Sequence, residues 1–174
     1  MSYKLIILDR DGVINVPDKD KKYIFHRRDF VLYNDVGTFF SIVLKENKKL
    51  AIATNQRGIA QNLYTPQDVE LLHQDMLSSC GLEPDDVTLF FCPHEANMCN
   101  CRKPKPGLLN SALVQLKIEK NEAIFIGDKL SDQQAAKIAG IDFIKLNRDA
   151  NGSTKSEVRS LLECLPIIME ASHG

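Results

Sequence analysis

The 174-residue sequence predicts an α/β fold built on a doubly wound, mostly parallel sheet. Three features predict it. Five short runs are almost continuously apolar, as strands covered on both faces must be. Longer stretches of helical periodicity separate them, the alternation expected of βαβ units. Acidic and small polar residues come directly after several of the runs, where open α/β sheets place their ligands, beyond the carboxyl ends of the strands.

In chain order, Lys4 to Leu8 (KLIIL) reads as the first strand, followed at once by Asp9, Asp11 and Gly12. The connector "VPDKDKKYIFHRRD" begins like a calcium loop but lacks the third acid and the glycine at position six. It reads instead as a substrate-covering loop or a solvated connector. Leu50 to Thr54 is the second strand. The stretch "TPQDVELLHQDMLSSCG" is a helix, with Thr65 as N-cap, Pro66 at the first helical position, Asp68 in the first turn and Gly81 just past the end. Val87 to Phe91 and Ala123 to Gly127 are strands, with the helix "PGLLNSALVQLKI" between them. The helix "SDQQAAKIAG" stops at Gly140, and Asp142 to Leu146 is the last strand. Asn147 to Thr154 is loop-like, and "SEVRSLLECLPIIME" reads as a terminal amphipathic helix. No internal repeat or low-complexity linker appears.

Composition limits the function classes. A chain of this length, 44% hydrophobic and 26% charged, suits a single domain spanning 1–174 with a sizeable core. A formal net charge of −1 supplies no general attraction to nucleic acid or anionic membrane, so anion recognition must be local. The basic residues of the connector lack an aromatic platform beyond Tyr23 and Phe25, so no nucleic-acid partner is expected. No stretch approaches membrane-spanning length and the N-terminus lacks the features of a leader, which predicts a soluble cytoplasmic protein. Monomer is the expectation for so small a chain. Neither a Walker loop nor a Gly-x-Gly-x-x-Gly motif is present, which argues against a kinase or dehydrogenase.

Two clusters carry chemistry. The first is "LDRDG", where Asp9 and Asp11 stand two residues apart after a strand. In extended backbone such residues point to one side, so both carboxylates can face one reacting centre, one as nucleophile and the other as acid and base. Mg²⁺ suits such a site, because it takes oxygen ligands. A polar turn after a strand is the plain alternative. The second is "CPHEANMCNCRKPKPG", in which Cys92, His94, Cys99 and Cys101 form a Cys₃His set suited to a closed, structural Zn²⁺ site. Arg102 and Lys103 follow the last ligand directly, so ordering Cys101 orders both cations. Cys80 and Cys164 read as buried small residues on helix faces, and His26, His73 and His173 as structural or exposed.

The full set of motifs resembles the haloacid dehalogenase superfamily of phosphotransferases. Asp9 to Val13 match its first motif and Thr54 its second. Lys103 matches the basic third motif, and Gly127, Asp128 and Asp132 the fourth. The resemblance implies a Rossmann-like haloacid dehalogenase fold with a minimal cap, and a Mg²⁺-dependent phosphatase working through an aspartyl-phosphate. Asp9 would be the nucleophile and Asp11 the acid and base, with Thr54 and Lys103 holding phosphate oxygens. Mg²⁺ would lie between the carboxylates of Asp9 and Asp128 and the main-chain carbonyl of Asp11. Asp132 would orient Lys103 or a metal-bound water, or serve simply as an acid in the first turn of a helix. Asn55, Gln56, Arg57, Arg102 and Lys129 would meet the substrate, Arg57 through a second phosphate.

The zinc loop followed by "CRKPKPG" is similar to the branch whose phosphatases act on D-glycero-D-manno-heptose 1,7-bisphosphate or on histidinol phosphate. "DRDGVIN", "TNQRGIA" and "GDKLSDQQAA" lean toward the heptose; Lys22-Tyr23 in place of Gly-Tyr, and the spacing from Gly12 to Val36, lean away. The expected partner is a small-molecule phosphate ester. The contrasting reading is a catalytically silent, zinc-stabilised binding module, which has no physical need for Asp9, Asp11, Thr54, Lys103 and Asp128 together.

Overall fold

The computed structural model describes residues 3–18, 20, 23–149 and 158–170. Its centre is a five-stranded, all-parallel sheet in the order β3-β2-β1-β4-β5, formed by β1 (Leu5–Leu8), β2 (Lys49–Asn55), β3 (Val87–Cys92), β4 (Ala123–Gly127) and β5 (Asp142–Lys145). The chain runs outward from β1 through β2 to β3, then returns to β4 on the other side of β1. The registers Leu5↔Lys49 and Leu5↔Ala123 align the three central strands. Their carboxyl ends, at Asp9, Asn55 and Asp128, therefore come out side by side at the topological switch point, where doubly wound sheets bind ligands.

Alternation along β1 divides the core. Ile6 and Leu8 face one layer, with α1 (Val36–Lys45), α2 (Pro66–Ser79) and α5 (Leu161–Glu170). Leu5 and Ile7 face the other, with α3 (Gly107–Leu116) and α4 (Leu130–Ala139). Ala135, Ala136 and Ala139 keep the α4 backbone close to the sheet. The helix boundaries follow local chemistry. Thr65 and Asp68 make a reciprocal capping box, Pro66 begins α2, and Gly140 ends α4 at φ +76°. No described helix is long and apolar enough to cross a membrane.

Four expectations change. Helix α1 was not expected from "VGTFFSIVLK", which is rich in β-branched and aromatic residues. Asp35, at its N-cap position, makes no capping bond, because its carboxylate is committed to Arg148 Nη1 at 3.1 Å and Leu161 N at 2.6 Å. Cys92 is the last residue of β3, so the cysteine loop springs from the sheet itself. Leu146 lies beyond β5 and forms an isolated bridge with Val158. The terminal helix starts at Leu161, later than expected. Lys19, Lys22, Ala150 to Thr154, Ser156, Glu157 and His173 lie outside the described residues, so the expectations placed on them stand outside this description. Of the other histidines, His73 Nε2 lies 2.9 Å from Val87 O and His26 packs against Phe25.

Arg148 fastens the sheet exit to the first loop. Its Nη2 donates to Val13 O at 2.6 Å, and its guanidinium lies 3.7 Å from the centroid of the Tyr33 ring. Replacing it with methionine strands the nearly buried Asp35, so Arg148→Met should lower unfolding free energy by about 3–5 kcal/mol in urea titrations. Adding Asp35→Asn should restore part of that loss.

Candidate active site

β1 ends in Asp9, which is 4% exposed, and the chain then turns at Gly12 with φ +97°. A Cβ at Gly12 would stand 2.3 Å from Asp128 Oδ2, so only glycine lets the first motif lie against the fourth. A cavity of about 370 Å³ opens over these strand ends, lined among others by Asp9, Asp11, Thr54, Arg102, Lys103 and Lys129. Its size lies within the range of small-molecule sites.

Lys103 is 3% exposed and all three of its ammonium protons have acceptors. These are Asp9 Oδ1 at 2.8 Å, Asp132 Oδ1 at 2.7 Å and Ala53 O at 2.7 Å. Asn55 clasps the Lys103 peptide from both sides, accepting from its N–H and donating to its carbonyl, each at 3.0 Å. Burial opposes the charge on Asp9, but Lys103 and Lys129 outweigh it and hold the carboxyl below the usual carboxylate range. For Asp132, burial and then the Asp9 charge push the carboxyl up, against Lys103. Asp132 also accepts from Lys129 N at 3.1 Å, as the third residue of the α4 capping box. Both sequence readings of Asp132 therefore hold: it orients Lys103 and it starts a helix.

Lys129 Nζ lies 3.0 Å from Asp11 O, 3.4 Å from Asp9 Oδ2 and 3.7 Å from Asp128 Oδ1. An ammonium thus stands among the three oxygens expected to take a divalent cation. Burial works against this charge, yet Asp9 and Asp128 hold it above the usual lysine range. Burial also pushes the Asp128 carboxyl up to about 6, with Asp9 and Asp132 adding to it and Lys129 opposing. Among the described residues nothing donates a hydrogen bond to its buried Oδ1. The donor set and this orphaned oxygen fit a hard cation.

Behind the site, Cys92, His94, Cys99 and Cys101 place one ligand atom each within 4.8 Å of one another. Cys92 Sγ is 3.5 Å from Cys99 Sγ and 3.2 Å from Cys101 Sγ, and His94 Nδ1 is 3.3 Å from Cys101 Sγ. These approach the edges of a tetrahedron of thiolate–zinc bonds, about 3.8 Å. Burial pushes the Cys101 thiol up to about 12, with Cys92 and Cys99 adding to it. Arg102 N donates to Cys99 Sγ at 3.4 Å, tying the next residue to the cluster.

One expectation about the cavity wall is corrected. Arg57 is not among the residues lining the cavity, because its guanidinium is ion-paired with Glu95 on the cysteine loop. Asn55 and Gln56 line the cavity as expected, with their side-chain amides bound to the protein: Asn55 to the Lys103 main chain, Gln56 Nε2 to Thr54 Oγ1 at 2.9 Å and Asp11 Oδ2 at 3.3 Å. Arg102 remains at the mouth, and its buried Nη1 finds no acceptor among the described residues. Sequence reasoning gave no role to Arg10 and Asn15, which donate to the Asp11 carboxylate, or to Tyr64, which donates to Gln56 Oε1 at 2.7 Å. Arg10 stood within the first motif, but nothing in its neighbourhood indicates that it is 4% exposed.

A doubly wound sheet with acids after β1 and β4, and with only a loop between β3 and α3, defines a class of hydrolase. The family model described as haloacid dehalogenase-like hydrolase matches residues 93–146. The D-glycero-alpha-D-manno-heptose-1,7-bisphosphate 7-phosphatase of Campylobacter jejuni is 36% identical, with 98% of each chain covered. The D-glycero-beta-D-manno-heptose-1,7-bisphosphate 7-phosphatase of Haemophilus ducreyi is 30% identical, covering 97% of this chain and 100% of its own. In fold, the chain is similar to the D,D-heptose 1,7-bisphosphate phosphatase of B. bronchiseptica, crystallised with magnesium and phosphate. That likeness has a TM-score of 0.83 at 24% identity, over 97% of this chain and 99% of that one. The chain belongs to the haloacid dehalogenase-like hydrolases, among their heptose bisphosphate phosphatase relatives, and is a phosphoric monoester hydrolase.

Lys103→Met leaves the buried Asp132 carboxylate without its cation and Asp9 with only the more distant Lys129. The variant should lose about 3–5 kcal/mol of stability, read as a lower urea midpoint at unchanged slope.

Proposed function

We propose that the protein hydrolyses the 7-phosphate of a D-glycero-D-manno-heptose 1,7-bisphosphate, through a phosphoryl group carried on Asp9. The observation that carries the reading is the buried ammonium of Lys103 bound to Asp9, a paired nucleophile and cation at the base of an open cavity. The heptose follows from the names of the similar phosphatases of Campylobacter jejuni and Haemophilus ducreyi.

A carboxylate oxygen of Asp9 attacks phosphorus while the bond from phosphorus to the sugar oxygen breaks, and Asp11 gives that oxygen its proton. Water then attacks the same phosphorus, passes a proton to Asp11, and releases phosphate as the bond to Asp9 breaks. Phosphoryl transfer demands mainly positioning and charge neutralisation. Lys103 and Thr54 supply both for the non-bridging oxygens. Asp9, Asp128 and the Asp11 carbonyl would hold Mg²⁺, which when bound neutralises phosphate charge. Lys129, now among those oxygens, would then be available to the substrate.

Zn²⁺ on Cys92, His94, Cys99 and Cys101 would be structural, since four protein ligands fill a tetrahedral shell. Its role is to hold the loop from which Arg102 and Lys103 enter the cavity. Three thiols kept for a metal suit a reducing compartment such as the cytoplasm.

Phosphate release with Mg²⁺ from the α and β heptose bisphosphates and from histidinol phosphate tests the substrate. A kcat/KM preference of about a hundredfold for one bisphosphate, roughly 2.7 kcal/mol, is expected; equal turnover of histidinol phosphate would refute the assignment. Asp9→Asn should lower kcat by about 10³-fold or more while the protein stays folded. Arg102→Ala should raise KM for the bisphosphate about 10–100-fold and that for a monophosphate far less, reflecting one charge-assisted contact. Purified protein should carry one zinc per chain by elemental analysis, and stripping it with a chelator should lower both Tm and activity.

A further inference from the structure

The carboxylate of Asp11 is held from three directions. Arg10 Nη2 lies 3.1 Å from both of its oxygens, Asn15 Nδ2 donates to Oδ1 at 3.1 Å, and Gln56 Nε2 to Oδ2 at 3.3 Å. Two of these holders lead to one short segment. The same Arg10 Nη2 donates to Ile24 O at 2.9 Å, and its guanidinium lies 5.7 Å from the centroid of the buried Phe30 ring. Gln56 accepts from the Tyr64 hydroxyl at 2.7 Å, and the Tyr64 ring stacks on Phe25 with centroids 4.8 Å apart. Tyr23 and Ile24 line the mouth of the cavity. The segment Tyr23–Phe25 therefore touches Asp11 by two separate routes, one through Arg10 and one through Tyr64 and Gln56.

These links are too buried to be surface decoration. Arg10 is 4% exposed, Gln56 2% and Tyr64 5%. A guanidinium placed there without a role beyond packing would be a costly way to fill space, since a buried cation must be matched by partners. Its matched partners are Asp11, whose aim decides whether a proton can be given to the leaving group, and the main chain of the segment that faces it.

We propose that Arg10, and the pair Gln56–Tyr64, are positioning residues that aim Asp11 at the leaving-group oxygen, and that they fix this aim to the placement of Tyr23–Phe25 at the cavity mouth. The inference rests on the reading of Asp11 as acid and base. A side chain bound at the mouth against Tyr23 and Ile24 is thereby registered at the proton donor, with no contact between substrate and Arg10.

Leaving-group dependence separates aiming from general damage. An acid that protonates the departing oxygen matters greatly for phenol and little for a strongly acidic nitrated phenol. kcat/KM is therefore measured with Mg²⁺ for a series of substituted phenyl phosphates of similar size, running from phenyl to dinitrophenyl, in the wild type, Asp11→Asn, Arg10→Met, Arg10→Lys and Tyr64→Phe. Asp11→Asn is expected to lose most on phenyl phosphate, giving a steeper dependence on leaving-group acidity. Arg10→Met should reproduce that steepening, with about 10–100-fold loss on phenyl phosphate and less than about threefold on dinitrophenyl phosphate. Arg10→Lys should fall between, and Tyr64→Phe should show the same slope change at smaller amplitude. Tyr64→Phe removes only a hydroxyl, so it decides the matter if Arg10→Met does not fold. Equal losses across the series in the Arg10 and Tyr64 variants, or none, overturn the proposal. A flat response in Asp11→Asn would instead overturn the reading of Asp11, and the inference with it.

Discussion

One ammonium group organises this molecule. Lys103 is nearly buried, and its three protons are taken by Asp9 just after β1, the main chain of β2 at Ala53 and the first turn of α4 at Asp132. A buried cation must be neutralised where it sits. Three separate elements are consequently fixed around a point, and the distance between the Asp9 carboxylate and the Lys103 ammonium is set by the same contacts that hold the layers together. Asn55 adds a fourth constraint by clasping the Lys103 peptide, which ties the end of β2 to the loop after β3.

That loop has little of its own to hold it. Between Cys92 and Pro106 there is no regular element, and Met98 is 74% exposed. What gathers it is the convergence of three sulfurs and an imidazole at one end and the buried lysine at the other, joined through Arg102, whose N–H lies against Cys99 Sγ. The salt bridge from Glu95 to Arg57 fastens the outer part of the loop to the segment after β2. The wall of the cavity is therefore assembled from polar and metal-seeking contacts, whereas its floor is a sheet edge fixed by packing.

Much of this was legible in the sequence, for identifiable reasons. The strands are nearly continuous apolar runs, the caps of α2 and α4 are spelled out by Thr65, Pro66, Asp68 and Gly140, and the cysteine–histidine cluster needs only proximity in sequence to be seen. Helix α1 was not legible because VGTFFSIVLK, rich in β-branched and aromatic residues, reads locally as strand, and only packing of Val36, Phe39, Phe40 and Val43 against the sheet makes it a helix. Arg57 looked like an anion ligand because sequence shows a charge without its counterpart; Glu95 is 38 positions away. Arg10 and Tyr64 were missed for the opposite reason. Their significance is burial and long-range hydrogen bonding, neither of which leaves a local pattern.

The two carboxylates on Lys103 carry a consequence for the history of such chains. Neutralising that ammonium requires one acid, and Asp132, which also starts α4, supplies it. Asp9 is a second buried acid, and it is matched by a second cation, Lys129, as well as by Lys103. A copy that exchanged it for a neutral amide would keep the bond from Arg10 N but leave two ammonium groups sharing one acid fewer, and so lose the charge balance that holds this carboxyl below its usual range. Drift at this position is thus opposed by the fold itself, whatever the chemistry asks of it.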